Sequence, residues 1–391
     1  MSNPCITDKL SVGAKTARFM LMSYHRIVAK FGTSLLTSST DHLDLPVMSS
    51  LVEQVARLHR QGKEIVIISS GAIASGRQKL SKVQERKNTP FKQVLASVGQ
   101  IHLMHTYEQL FSQYDITVAQ ALLTREDLSD RSGYLNARNT LLALIELGVI
   151  CIINENDVVA IDEIEALKFG DNDNLSAMTA NLVDADLLAI LTHTGGLYTA
   201  DPCYNANAQL ICRVDKIDAE IECMASNTTA IQGTGGMTTK IEAARLATCS
   251  GVSVVIADGR EPDMLVRISQ GETAGTFFPP QVNKMESKKR WMLSGLASKG
   301  KVTVDKGAVL ALKQQNKSLL PAGVTIAEGE FHRGDIVDIL DENGKHVGCG
   351  ISNYSSADVA VIKEEHSDKI LSLLGFNYGD ELIHRDNMVM L

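Results

Sequence analysis

No Cys-x-x-Cys pair occurs anywhere in the chain. Its seven cysteines (Cys5, Cys151, Cys203, Cys212, Cys223, Cys249 and Cys349) are odd in number and lack metal-ligand spacing. That argues against a secreted disulfide framework and against a zinc site. Free thiols in a reducing cytoplasm are the expectation. No apolar run approaches the roughly 20 residues of a membrane span, so a cytoplasmic protein without a membrane anchor is expected. Positive charge is not in excess either: the formal net charge is −8, which removes the electrostatic footprint of a general nucleic-acid binder. Neither Gly-x-Ser-x-Gly nor His-Glu-x-x-His is present. The Walker phosphate loop is missing as well. GTGGMTTK (233–240) ends in lysine, but Thr239 stands where that motif needs glycine.

What is present is an ordinary globular composition, 44% hydrophobic and 21% charged, over 391 residues. That length suits two domains. Between residues 25 and 258, apolar runs alternate with helical patterns. RIVAKF (26–31), EIVIISS (64–70), DITVAQALL (115–123), VICIIN (149–154), LLAILT (187–192) and VSVVIAD (252–258) read as strands. Their near-continuous Val, Ile and Leu content marks a parallel sheet covered on both faces. Residues 46–61, 92–112, 134–147 and 174–184 carry helical periodicity, with Gly62 and Gly148 at expected C-caps. The expected fold is therefore α/β: a three-layer α/β/α sandwich on a mainly parallel sheet.

FFPPQVNKMESKKRW (277–291) reads as a boundary. Beyond Gly300 the runs shorten to KVTVD, SLLPAGV, GDIVDIL, KHVGCGISNY and ADVAVIK, with Asn343-Gly344 as a hairpin turn and a helical stretch near 306–315. A small, mostly β domain is expected there. Residues 1–24 are polar and lysine- and arginine-bearing without an apolar stretch, and read as a disordered extension or a start assigned too early. A basic, acid-poor transit peptide is the other reading. The expected division is 1–24, 25–283, a linker at 284–299, 300–375, and a tail at 376–391.

Ligands of open α/β sheets bind beyond the carboxyl ends of the strands. Those ends are rich in polar residues here. Lys30 lies inside an apolar strand and precedes Gly32-Thr33-Ser34. A buried ammonium needs an anionic partner or ligand, although a lysine snorkelling from an edge strand is the alternative. The other strand ends read Ser69-Ser70-Gly71-Ala72, Asn154-Glu155-Asn156-Asp157 and Thr192-His193-Thr194. GDNDNLSA (170–177) fits a helix N-cap with acids at the positive dipole end, or ligand duty. GTGGMTTK precedes another helix, and its amides suit phosphate oxygens. Lys30 and Lys240 then face one triphosphate, with Asp157 expected between them. Phosphoryl transfer needs mainly this kind of positioning and charge neutralisation.

In order along the chain, VAKFGTSLL, IISSGAIASG, LLTREDLSDRSGYLNARNTL, INENDVVA, KFGDNDNLSA, GLYTADP and GTGGMTTK resemble the glutamate 5-kinases of the amino acid kinase family. The likeness runs from about residue 25 to the C-terminus, and 300–375 resembles a PUA domain. The resemblance implies ATP- and Mg²⁺-dependent phosphorylation of the γ-carboxylate of L-glutamate to γ-glutamyl phosphate, the first step of proline biosynthesis, with inhibition by L-proline. It implies Lys30, Asp157 and Lys240 as catalytic, and Ser70, Asn136, Asn139 and Asn156 near glutamate. Lys30, Thr192, Thr234, Gly235, Gly236, Met237, Thr238, Thr239 and Lys240 are implied at ATP. The metal ligands are left unassigned. A homo-oligomer and hand-over of product to glutamyl phosphate reductase are further implications.

Two departures stand out. Asn139 replaces the family's acid in NARDT, which predicts weaker glutamate binding or altered proline sensitivity. His193 replaces an acid near the nucleotide. The alternatives are a sibling kinase acting on acetylglutamate, aspartate, carbamate or UMP, a degenerate kinase serving as a sensor, and an RNA-binding protein. The last is disfavoured because residues 300–375 hold eight Lys/Arg against eleven Asp/Glu, a balance of −3.

Overall fold

The computed structural model describes residues 24–38, 40, 42–82, 89–160, 172–226, 236–272, 274–282, 298–315 and 317–390. The chain divides into two compact units, Met1–Ser129 with Ala137–Lys284, and Asp130–Asn136 with Met285–Leu391.

In the first unit the apolar runs form strands β1 (Arg26–Phe31), β2 (Glu64–Ser69), β3 (Val118–Leu123), β4 (Ile150–Glu155), β5 (Leu187–Thr192), β6 (Ser253–Asp258) and β7 (Thr276–Phe278). They hydrogen-bond in the order β3-β4-β2-β1-β5-β6-β7. The pairs among β1 to β6 are parallel, and β7 runs antiparallel on β6. β7 overlaps the start of the stretch read as a boundary, because three residues are too few to show a period. β3 departs from the double-sided burial expected of all six runs: it is the edge strand, and its residues are half-buried or exposed.

The helices are α1 (Thr33–Leu36), α2 (Leu45–Arg60), α3 (Ala72–Lys79), α4 (Thr89–Ser112), α5 (Arg125–Ser129), α6 (Arg131–Glu146), α7 (Asn172–Leu182), α8 (Ala219–Ser226), α9 (Met237–Cys249) and α10 (Met264–Ser269). Asp44 caps α2 by accepting from the Val47 amide at 3.1 Å. Gly62 follows α2 in the left-handed conformation, φ +77°, which side-chain-bearing residues avoid. α3 and α4 cross unusually closely. A Cβ at Gly99 would lie 1.8 Å from the Ala72 carbonyl oxygen, and one at Gly76 1.9 Å from that of Leu95. The main core packs Phe31, Leu51, Ile67, Tyr107, Phe111 and Leu191 with their neighbours.

The second unit holds β8 (Gly300–Val304), β9 (Val324–Gly329), β10 (Ile336–Asp341), β11 (His346–Ile351) and β12 (Met388–Met390), in sheet order β12-β11-β10-β8-β9. β10 and β11 form the hairpin around Asn343-Gly344. Its helices are α11 (Lys306–Gln315), α12 (Ser356–Ile362) and α13 (Ile370–Leu374). α12 covers most of ADVAVIK, which the sequence had grouped with short β runs. A capping box between Ser355 and Asp358 starts the helix and overrides the β-branched content. Cys151, Cys203, Cys223, Cys249 and Cys349 are free thiols as expected, whereas Cys212 is disulfide-bonded.

Candidate active site

β1 lies at the centre of the sheet, between β2 and β5. The chain builds outward from β1 to one side and then returns to start the other side at β5, so the crevice beyond β1 and β5 is the topological switch point. Lys30 is the penultimate residue of β1 and is only 2% exposed, which excludes the snorkelling alternative. Gly32 continues the strand by donating its amide to the Leu191 carbonyl at 3.1 Å. Thr192 ends β5, is buried, and accepts from the Gly259 amide at 2.9 Å.

The two lysines converge on one carboxylate. Lys30 Nζ lies 2.7 Å from Asp173 Oδ1, and Lys240 Nζ lies 3.1 Å from Asp173 Oδ2. Asp173 is fully buried. Thr239 Oγ1 donates to Asp173 Oδ2 at 2.8 Å. Asp173 also sits in the first turn of α7, where the helix dipole favours negative charge. Burial would raise its carboxyl pKa. The ammonium groups of Lys240 and Lys30, with hydrogen bonds from Lys30 and Thr239, outweigh burial and hold it well below the ordinary carboxylate range.

The expectation had named Asp157 as the carboxylate between the lysines; Asp173 is seen to occupy that place. Asp157 is buried in the turn after β4. Four consecutive Asp and Asn residues at a helix start look like capping, and only the helix phase shows that Asn172 and Asp173 turn inward.

Lys240 is held from its own helix too, donating to the Gly236 carbonyl at 3.3 Å, while Thr239 Oγ1 donates to the same oxygen at 2.9 Å. Gly236 is the N-cap of α9 in an extended conformation, Met237 is buried, and Thr238 is exposed. The start of α9 therefore offers backbone N–H groups beside a lysine ammonium, an arrangement that suits phosphate oxygens. Thr234 and Gly235 lie outside the described residues.

Beside the lysines is a buried amide cluster. Asn172 Nδ2 donates to Ser70 Oγ at 2.9 Å and to Asn154 Oδ1 at 3.0 Å. Asn154 Nδ2 donates to Gln100 Oε1 at 2.8 Å. Asn172 Oδ1 and Gln100 Nε2 are buried without a partner among the described residues. Ser70 is thus part of this cluster, together with Asn154, Asn172 and Gln100, which the sequence reading did not name as site residues. The signal for the first two was present: each precedes a flagged acidic residue by one or a few positions. Gly71, φ +101°, turns the chain from β2 into α3 and presents Ser70. Asn156 is half-buried in the turn after β4, its amide donating to the Leu123 carbonyl at 3.1 Å.

Asn139 is half-buried on α6. Its neighbour Arg138 is buried and donates to the Leu182 carbonyl and, at 2.5 Å, to Asp184. That docks this turn of α6 on the C-terminal end of α7, whereas Asp173 is at the N-terminal end. Asn136 is exposed on α6. His193 follows β5, and its carbonyl accepts from Arg260 at 2.6 Å. Burial, then Lys240 and Arg260, push its imidazole pKa below the ordinary value, which keeps the ring neutral near pH 7. Among the described residues, no group of three or more His, Cys, Asp or Glu gathers to hold a metal ion.

The profile of the amino acid kinase family matches residues 25–258, and that of the PUA domain matches residues 300–374. The chain is 58% identical over 368 residues to a glutamate 5-kinase of Dehalococcoides mccartyi, covering 94% of this chain and 99% of that one. It is 50% identical to that of Herpetosiphon aurantiacus, over 93% of this chain and 98% of that one. It is 47% identical to that of Shewanella oneidensis, over 95% and 99%. With two lysines on one buried aspartate at the switch point of the sheet, the chain belongs to the amino acid kinase family and, within it, to the glutamate 5-kinases.

Proposed function

We propose that this protein transfers the γ-phosphoryl group of ATP to the γ-carboxylate of L-glutamate, giving γ-glutamyl phosphate and ADP at the entry to proline biosynthesis. The observation that carries the reading is the convergence of Lys30 and Lys240 on Asp173. A substrate carboxylate is already ionised at neutral pH, its ordinary pKa being about 4, so no general base is needed. Its oxygen attacks the γ-phosphorus. The new O–P bond forms as the bond to the β,γ-bridging oxygen breaks, and that electron pair departs on ADP.

Charge on the transferring group and its leaving oxygen is neutralised by Lys240 from the start of α9 and by Lys30 from β1. Asp173 holds both ammonium groups apart in fixed positions. The amides at the start of α9 take phosphate oxygens, and the cluster of Ser70, Asn154 and Asn172 holds the acceptor amino acid. Mg²⁺, when bound, supplies further charge neutralisation. Nucleotide phosphate oxygens and water would carry most of its coordination, as is usual for this ion.

The reading extends to inhibition by L-proline, a homo-oligomer, delivery of the labile acyl phosphate to glutamyl phosphate reductase and a cytoplasmic setting. The family resemblance is what supports these parts. The test is ATP- and Mg²⁺-dependent formation of γ-glutamyl hydroxamate from glutamate and hydroxylamine, with and without proline. Acetylglutamate, aspartate, carbamate and UMP serve as competing acceptors. Product from glutamate alone is expected; turnover of another acceptor without glutamate turnover overturns the reading.

A further inference from the structure

α4 presents Gln93, Gln100 and Tyr107 at intervals of seven residues, and a helix brings such positions onto one face, two turns apart. Each grips a different part of the carboxyl ends of β2 and β4 or the turn that follows β4. Gln93 Nε2 donates to the Val158 carbonyl, just past β4, at 3.0 Å. Gln100 Oε1 accepts from Asn154 Nδ2 at 2.8 Å. The Tyr107 hydroxyl meets Ser69 Oγ at 2.9 Å, and Ser69 Oγ in turn donates to the Ser70 carbonyl at 3.1 Å. Tyr107 is fully buried, so its phenol is far from solvent, and burial keeps it neutral by raising its pKa well above the ordinary range.

The contacts of Gln100 and Tyr107 lead toward Asn172, whose amide bridges Asn154 and Ser70. The helix itself is fixed on the Ser70 turn by the close α3–α4 crossing, where Gly99 abuts the Ala72 carbonyl. Polar side chains turned toward the protein interior need hydrogen-bond partners. Here the partners of this face belong to the acceptor side of the site, not to the nucleotide side at α9.

We propose that Gln100 and Tyr107 are positioning residues for the acceptor amino acid: α4 acts as a templating rod that sets Asn154 and Ser70 in register on either side of Asn172. The proposal rests on the reading of this site as a glutamate kinase. Its test is steady-state kinetics of full-length wild type, Gln100→Met and Tyr107→Phe, both near-isosteric changes that remove one hydrogen bond each, with KM measured separately for glutamate and ATP and the melting temperature recorded.

Glutamate KM is expected to rise roughly three- to tenfold in each variant, the scale of one lost hydrogen bond, with ATP KM within about twofold of wild type. A further variant, Ser69→Ala, combined with Tyr107→Phe, is expected to add little to the glutamate KM, because both break the same relay. Glutamate KM unchanged in both single variants overturns the proposal. So does a parallel rise of both KM values with a lowered melting temperature, which is the mark of a merely structural role. A wild type that turns over another acceptor but not glutamate overturns the functional reading itself, and this proposal with it.

Discussion

Replacing Asp173 by asparagine keeps the shape of the side chain and removes only its charge. Two ammonium groups would then remain buried, with side chains 3% and 8% exposed, and without the anion that now lies 2.7 and 3.1 Å away. At an effective dielectric constant of about 20, each contact is worth roughly 5–6 kcal/mol of gross attraction. Desolvation of three charges offsets most of that, at several kcal/mol per ion. Cutting such a network, rather than replacing it whole, typically costs about 3–5 kcal/mol, because the uncompensated charges stay behind. Asp173→Asn is therefore expected to lose about that much in denaturant unfolding at pH 7.

Its hydroxamate-forming rate should fall by at least about 100-fold, the scale of losing one preorganised charge contact in a transition state. Saturating ATP should recover part of the stability, since its phosphates supply negative charge to the same lysines. The pH dependence has a definite sign. The folded carboxyl is held below its ordinary value, so its contribution is fully present above about pH 4 and is lost as pH falls toward the depressed value. A variant with wild-type unfolding free energy and wild-type rate would refute the claim that the two lysines depend on this carboxylate.

Lys240→Met and Lys30→Met should each lower kcat by roughly 100- to 1000-fold while the protein stays folded, read by hydroxamate formation and circular dichroism. His193 is held below its ordinary pKa, so the unfolded chain takes its proton first as pH falls below about 6.5, and stability is lost over that range. His193→Gln should flatten the dependence of the unfolding midpoint between pH 7 and pH 5. Gly99→Ala drives a methyl group to 1.8 Å from the Ala72 carbonyl oxygen and 2.4 Å from the Gly76 amide nitrogen. Backbone atoms cannot swing aside, so a loss of about 1–3 kcal/mol or more is expected, with a raised glutamate KM. Asn139→Asp, which restores the family's acid, is expected to lower glutamate KM or to change inhibition by proline; an unchanged KM with unchanged inhibition would refute a substrate role for this position.

Much of this architecture was readable from residue pattern alone. Six apolar runs became β1 to β6, and the lysine inside the first of them reported a buried partner before any coordinate did. Apart from the edge strand β3, the runs were legible because burial on both faces leaves no polar alternation to confuse with a helix. The identity of the partner was not legible. Asp157 and Asp173 both stand in stretches of Asn and acid after or before an element, and sequence spacing cannot say which carboxylate turns toward β1. The helix phase of α7 decides it. The heptad stripe on α4 escaped for a related reason: two glutamines and a tyrosine on a helix with many other polar residues look like surface positions until their partners are seen. In the second unit, β-branched residues in ADVAVIK masked a helix that Ser355 and Asp358 announce.

The central place of β1 also constrains how the enzyme comes into being. Lys30 is paired with Ile68 on one side and with Ile190 on the other. The first pairing closes a short stretch of chain, while the second joins segments 160 positions apart along the polypeptide. Closing so long a loop is entropically late and slow. A nascent or refolding chain can complete the β1–β2–β4 half with one ammonium in position, yet remain inert until the half that delivers Asp173 and Lys240 has docked. Catalytic competence should thus emerge after the bulk of helical signal has returned, making phosphotransfer a report on the last long-range strand pairing.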